Sequence, residues 1–234
     1  MPSAPSSHVK RFLKQAALIA GKDLAIELST GEIVTTSGFF AVLVAVIASL
    51  AFFAGQEATE GVAPGVIWVS VAFASVLAVG RTWQREREEN ALAGLLVLPV
   101  SRGAIFVGKA VSVAIFVGLV EAIVVPVSAL LFSVDLIRMG PGLLLIALFA
   151  TPGIAAVGTL FGAMTVRTRA RDLVLASVFF PLLAPTLLAA VAGTRELFGG
   201  AETSELFDYL ALMGVFGTVF TAGGVGLFDT LIDG

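Results

Sequence analysis

The chain has 234 residues, is 58% hydrophobic and only 13% charged, and carries a formal net charge of -3; its mean hydropathy is +1.02. A soluble domain of this length does not need six long apolar runs separated by so few charges, so the composition excludes a water-soluble globular protein and argues for an integral membrane protein. Cysteine is absent, which excludes disulfides, thiolate metal sites and cysteine nucleophiles within the chain.

The opening residues, MPSAPSSHVKRFLKQ, lack the apolar core of a cleaved secretory signal, so the first span is expected to persist. Val9, Phe12, Leu13, Ala16, Ile19, Ala20 and Leu24 then recur at three- and four-residue steps, while Lys10, Lys14, Lys22 and Asp23 mostly take other faces. This pattern predicts an amphipathic helix along the inner headgroups, leading through Ser29, Thr30 and Gly31 into the membrane. An ordinary solvated helix end is the plainer alternative.

A helix needs about 20 apolar residues to cross a hydrocarbon core of about 30 Å. Spans are expected at 38–55, 64–81, 109–133, 141–165, 173–193 and 209–228, giving an interfacial segment 1–37, a membrane domain 38–228 and a tail 229–234. Six crossings put both termini on one side.

Of the 14 basic residues, all but Arg138 and Arg195 fall in alternate gaps. Lys10, Arg11, Lys14 and Lys22 precede span one; Arg81, Arg85, Arg87, Arg102 and Lys109 lie around the second gap; Arg167, Arg169 and Arg171 lie in the fourth. The positive-inside rule makes these segments and both termini cytoplasmic. Glu57, Glu60, Asp135, Glu196, Glu202, Glu205 and Asp208 then face outward, so the net acidity says nothing of nucleic acid.

The segment between spans two and three is the most unusual. Arg85, Glu86, Arg87, Glu88 and Glu89 are followed by a short apolar run from Ala91 to Leu98, closed by Pro99. Such a run is too short to cross a bilayer. It predicts a short helix ending at the proline, whose apolar face, Leu92, Leu95 and Leu96, is to be covered by headgroups or by a partner. A solvated charge run followed by an interfacial turn fits the composition equally.

Within the spans, Glu121 is the ionisable exception, and a carboxylate in hydrocarbon costs a few kcal/mol unless protonated, paired or wet. It marks either a functional cavity or a protonated hydrogen bond at a helix interface. Pro126, Thr151-Pro152-Gly153, Pro181 and Pro185 interrupt spans three to five. Each proline frees a carbonyl, to be satisfied by a neighbouring helix, by a hydroxyl such as that of Thr151, or by water. Gly158 and Gly162 form a Gly-x-x-x-Gly step suited to close helix contact. No phosphate-binding Gly-x-x-x-x-Gly-Lys-Ser/Thr exists, and the lone histidine, His8, has no Cys/His cluster around it, so the residues read as a non-catalytic subunit with no tightly bound cofactor.

One ordered set of residues resembles the heme exporter protein B (CcmB) family: Lys22-Asp23-Leu24 with Glu27-Leu28; Pro64-Gly65 and Trp68; Arg85-Glu86-Arg87-Glu88-Glu89-Asn90-Ala91-Leu92 with Leu95-Leu96 and Pro99; Gly108-Lys109; Thr151-Pro152 with Gly158; and Pro181-Leu182 with Pro185. The resemblance implies a six-helix permease of the ABC-2 exporter type in the bacterial inner membrane, serving c-type cytochrome assembly. It further implies a cytoplasmic ATPase (CcmA-like) that holds the ATP, a heme-handling membrane protein (CcmC-like) with a small subunit (CcmD-like), a periplasmic heme chaperone (CcmE-like), two copies of the chain per complex, and ATP hydrolysis that drives either export of heme as the transported substrate or release of the heme-loaded chaperone. Segment 84–99 would be the coupling helix, with Leu92, Leu95 and Leu96 in a groove of the ATPase and Arg85, Glu86, Arg87, Glu88 and Glu89 at its rim. An ABC-2 permease for a lipid, drug or polysaccharide precursor, and a scaffold without energy coupling, are the competing functions.

Overall fold

The computed structural model describes residues 5–52, 61–88, 91–165 and 171–233. These residues form helices and no strand: α1 Pro5–Thr30, α2 Glu32–Ala51, α3 Ala63–Glu88, α4 Ala91–Val97, α5 Arg102–Phe132, α6 Leu136–Thr165, α7 Arg171–Phe198, a 3-10 turn Thr203–Leu206 and α8 Phe207–Asp233. Six helices are long and apolar enough to cross a membrane: α2, α3, α5, α6, the Ser177–Phe198 part of α7, and Thr203–Thr230. The chain is therefore an all-helical, multi-pass membrane protein.

The helices overrun the apolar windows from which the spans were read. Hydropathy marks only the part of a helix in hydrocarbon, whereas the backbone ladder continues into the headgroup layer wherever capping allows. α2 is displaced at both ends: it begins at Glu32 and ends at Ala51, so the expected boundary at 37 falls inside it. Gly31, at φ 63°, breaks α1 from α2 in a left-handed conformation that glycine adopts without strain. Glu27 then accepts the Val34 N–H at 2.8 Å, satisfying a donor in the first turn of α2.

α6 is the central helix, packed against α3, α5, α7 and α8, with α2 held by α3 and α5. Its buried face carries Ile146, Ala150, Ile154, Val157 and Leu160. Gly158 and Gly162 do bring neighbours close, but those neighbours are side chains: Phe179 and Val79 stand against the first and the Trp83 ring against the second. Trp68 of α3 donates its indole N–H to Thr194 of α7 at 2.8 Å, so both polar atoms are satisfied deep in the bundle.

α1 lies across α5. Ala16, Ile19, Ala20, Asp23 and Glu27 are its buried stripe, and the crossing is tight at Gly108, where a Cβ would lie 2.7 Å from the Ala16 carbonyl oxygen and 2.8 Å from Ile19 Cβ. Leu13 and Leu28 remain exposed beside that stripe, at 58% and 89%, so only part of the apolar set read from the sequence faces the bundle.

Candidate functional site

At the end of the bundle that carries α1, four charges meet, three of them buried and the fourth, Lys22, partly exposed. Lys109 of α5, 1% exposed, donates to Asp23 Oδ1 of α1 at 3.0 Å and to Glu86 Oε1 of α3, and lies 2.8 Å from Asp23 Oδ2. Lys22 donates to the same Glu86 oxygen at 2.8 Å and stands 3.3 Å from Asp23. Two ammonium and two carboxylate groups thus balance inside a site where a lone charge would cost several kcal/mol. The Trp83 ring lies 6.0 Å from Lys109 Nζ, within reach of a cation–π contact. Burial by itself pulls the Lys22 ammonium down, yet the hydrogen bond to Glu86 and the charges of Asp23 and Glu86 outweigh it and hold its pKa above the ordinary lysine value.

A second tier ties α3 to the turn between α1 and α2. Arg85 donates to Thr30 Oγ1 at 3.2 Å and to Glu32 at 3.3 Å, and lies 3.7 Å from Glu27. Arg81 reaches Glu32 at 3.1 Å.

The far end of the short-helix segment is held by α1 as well. The Pro99 carbonyl accepts from Gln15 Nε2 at 3.2 Å and from Arg11 Nη2 at 3.4 Å, and the Ser101 N–H and hydroxyl both donate to Gln15 Oε1 at 3.3 Å. α1 therefore grips both ends of segment 84–101: Lys22 holds Glu86 before it and Gln15 holds Pro99 and Ser101 after it.

The residues expected to face a partner divide accordingly. Glu86 is 4% exposed and turned into the network, and Arg85 is half-buried against the α1–α2 turn, so neither sits at an open rim. Arg87 and Glu88 are exposed at the end of α3, with Glu88 accepting from Gln84 at 2.7 Å. A short helix does form, Ala91–Val97, but Leu95 packs partly against the main core. Glu89 and the side chains of Leu92 and Leu96 lie outside the described residues, as do Arg167 and Arg169. Val97 and Leu98, which the periodicity did not single out, are 86% and 54% exposed.

A second polar spot lies within the spans. Glu121 of α5, 6% exposed, accepts the Thr151 hydroxyl of α6, with both carboxyl oxygens at 2.9 Å. That hydroxyl is thus committed to Glu121 and not to the carbonyl freed by Pro152. The pair borders an apolar groove of about 700 Å³ between α5 and α6, walled by Ala114, Gly118, Ala122, Pro126, Pro152 and, from α8, Thr221. Gly153 turns the other way, against Phe216 and Gly217 of α8. Pro181 and Pro185 are exposed on α7.

Most residues that carry the resemblance at this end, Lys22, Asp23, Glu27, Arg85, Glu86 and Lys109, therefore converge in space from three helices. The pairing across 86 positions between Asp23 and Lys109 leaves no local signal in sequence; the only hint is that a lysine and an acid sit where apolar residues are otherwise the rule.

Comparison with known proteins bears on this arrangement. The family model described as CcmB protein matches residues 14–223. Heme exporter protein B of Pseudomonas aeruginosa is 25% identical over 173 residues, covering 74% of this chain and 77% of that protein. The Paracoccus denitrificans protein of the same name is 29% identical over 154 residues, 64% and 68% of the two chains, and that of Haemophilus influenzae is 24% identical over 187 residues, 78% and 84%. With its six candidate spans, and a family match reaching from the middle of α1 into α8, the chain belongs to the CcmB family.

Proposed function

We propose that the chain is the membrane subunit of a heme export system for c-type cytochrome assembly, driven by ATP hydrolysis in a separate cytoplasmic subunit. The relatives' name, heme exporter protein B, supplies the substrate class. The observation that carries the mechanical reading is the double attachment of segment 84–101. Because Glu86 is bonded to α1 and α5 while Pro99 and Ser101 are bonded to α1, a displacement of the segment by a partner is passed to α1, α3 and α5 together.

In this reading both termini and the basic end face the cytoplasm, in accord with the positive-inside rule. Six spans supply one half of a transporter, so two copies assemble with two ATPase subunits. Motion entering at segment 84–101 travels along α5 toward Pro126 and the groove, where Thr151 and Pro152 of α6 face Glu121. Heme is then delivered to a periplasmic acceptor, with a heme-handling membrane protein and its small subunit alongside.

The test is purification of the chain from its native membrane in mild detergent, with identification of the bound proteins and heme absorbance recorded on the complex and on the chain alone. An ATPase and a heme-handling protein in the complex support the reading. Enzymes of lipid or polysaccharide synthesis in their place, with no defect in c-type cytochromes on deletion, would point to another exported substrate.

A further inference from the structure

The outward side of α5 is built of small residues where the chain's own packing asks for none. Into the bundle α5 turns Val113, Phe116, Val117, Val120 and Val124, all buried. Away from it, Ala110, Ala114, Gly118, Ala122 and Pro126 stand at unbroken four-residue steps, half-buried or exposed, and line the groove between α5 and α6. Nothing in the chain lies within 4 Å of where a Cβ on Gly118 would stand, so this glycine does not serve to admit a neighbour from its own bundle. Val111 and Ile115 on one lip and Leu144 and Leu148 on the other are exposed, which leaves the groove open on its lipid side. From Val107 to Pro126 the groove follows α5 for about 28 Å at 1.5 Å per residue, close to the ~30 Å of a hydrocarbon core.

The groove also holds a hydrogen-bonding capacity that the chain does not use. Glu121, 6% exposed, lines it beside Gly118 and Ala122, together with Thr151. Both carboxyl oxygens are 2.9 Å from the Thr151 hydroxyl oxygen, but a hydroxyl has one proton to donate and serves one of them at a time. The other oxygen has no further partner among the described residues. In hydrocarbon such a group is costly until something supplies the missing bond.

We infer that the groove is the docking site for a membrane-spanning helix of another protein, one that presents small residues to the α5 stripe and a side-chain hydroxyl, amide or indole N–H to Glu121. Small residues at helical spacing let two backbones approach closely, and a polar side chain between them adds a bond that lipid cannot provide. An acyl chain covers side chains of any size and offers the carboxyl nothing. Two-fold pairing of this face with its copy would set one hollow against another and fill neither. The assignment is separate from the coupling and heme delivery proposed above.

The experiment places a photo-reactive amino acid at Ile115 or Leu144 on the lips of the groove, and at the exposed Leu188 of α7 as a control, in the full chain expressed in its native membrane. Irradiation should join the two lip positions, and not Leu188, to a spanning segment of another protein that carries small residues at four-residue steps and a donor side chain. Gly118→Leu fills the groove and should cut that adduct at least tenfold while the unfolding midpoint of the chain stays at the wild-type value, because the space at Gly118 is empty. Gly118→Ala should give an intermediate loss and serves as the milder variant if the leucine does not fold. Adducts to phospholipid alone, adducts to a second copy of this chain, or a protein adduct that a folded Gly118→Leu leaves unchanged would each overturn the inference. If an ATPase and a heme-handling protein co-purify while the lips capture only lipid, the docking site falls and the proposed function stands. If a segment of the stated chemistry is captured and neither protein co-purifies, the docking site stands and the export reading fails.

Discussion

Lys109, 1% exposed on α5, contacts both carboxylate oxygens of Asp23 on α1, at 3.0 and 2.8 Å. The two residues belong to helices that are separate in sequence, and their pairing fixes the N-terminal helix to one long and apolar enough to cross a membrane. Gly108 lets them meet, because any Cβ there would strike the α1 backbone at Ala16.

Replacing Lys109 with Met leaves Asp23 and Glu86 sharing only Lys22. Loss of one partner from a buried network costs roughly 3–5 kcal/mol, so the unfolding midpoint in detergent should fall sharply. Lys109→Met combined with Asp23→Asn should recover part of the loss, because the uncompensated charge is then removed. A Lys109→Met variant as stable as the wild type would show that the network does not hold the helices.

Gly108→Ala should separate α1 from α5 without touching a charge. The clash is with a carbonyl oxygen at 2.7 Å, which no rotamer change relieves, and overpacking of this kind costs about 1–3 kcal/mol. Proteolysis of α1 in detergent should quicken, and cytochrome yield should fall with it.

Lys22 gives the end that carries α1 an alkaline limit. Its pKa is raised in the folded chain above the ordinary 10.5, so its contribution is complete below that value and is lost as the pH climbs through the folded value. Stability should be insensitive to Lys22 titration at neutral pH and decline above about pH 10.5 more steeply in the wild type than in Lys22→Gln. Equal slopes in a comparison of unfolding midpoints would contradict the assignment.

Glu121 and Thr151 form a pair whose worth a double-mutant cycle would isolate. Thr151→Val leaves the carboxyl without its donor, an expected loss of about 1–3 kcal/mol, whereas Glu121→Gln keeps an acceptor for the hydroxyl and should behave like the wild type. The Glu121→Leu/Thr151→Val double variant should be less damaging than the sum of the singles. Purely additive effects in thermal unfolding would mean that the two groups do not interact.

Membrane class, six crossings and the amphipathic α1 were legible in sequence because hydropathy and helical period are local properties, recorded residue by residue. The short helix before Pro99 was legible too. Span ends were displaced, as at α2, where Gly31 and the Glu27 carboxylate set the start and hydropathy does not.

Composition and order of residues determined by themselves that this chain lives in a membrane, how many helices cross it and which ends are basic, since each follows from the cost of placing particular groups in hydrocarbon. Only the tertiary structure decided what the charges are for. Glu86 and Arg85 look like an exposed charge run in a linear reading, yet Lys22 and Lys109 turn Glu86 inward and Glu32 and Thr30 hold Arg85. Partners 23 to 86 positions apart are paired by the crossing of α1, α3 and α5, and a crossing is set by packing across the whole bundle, which no local window of sequence records.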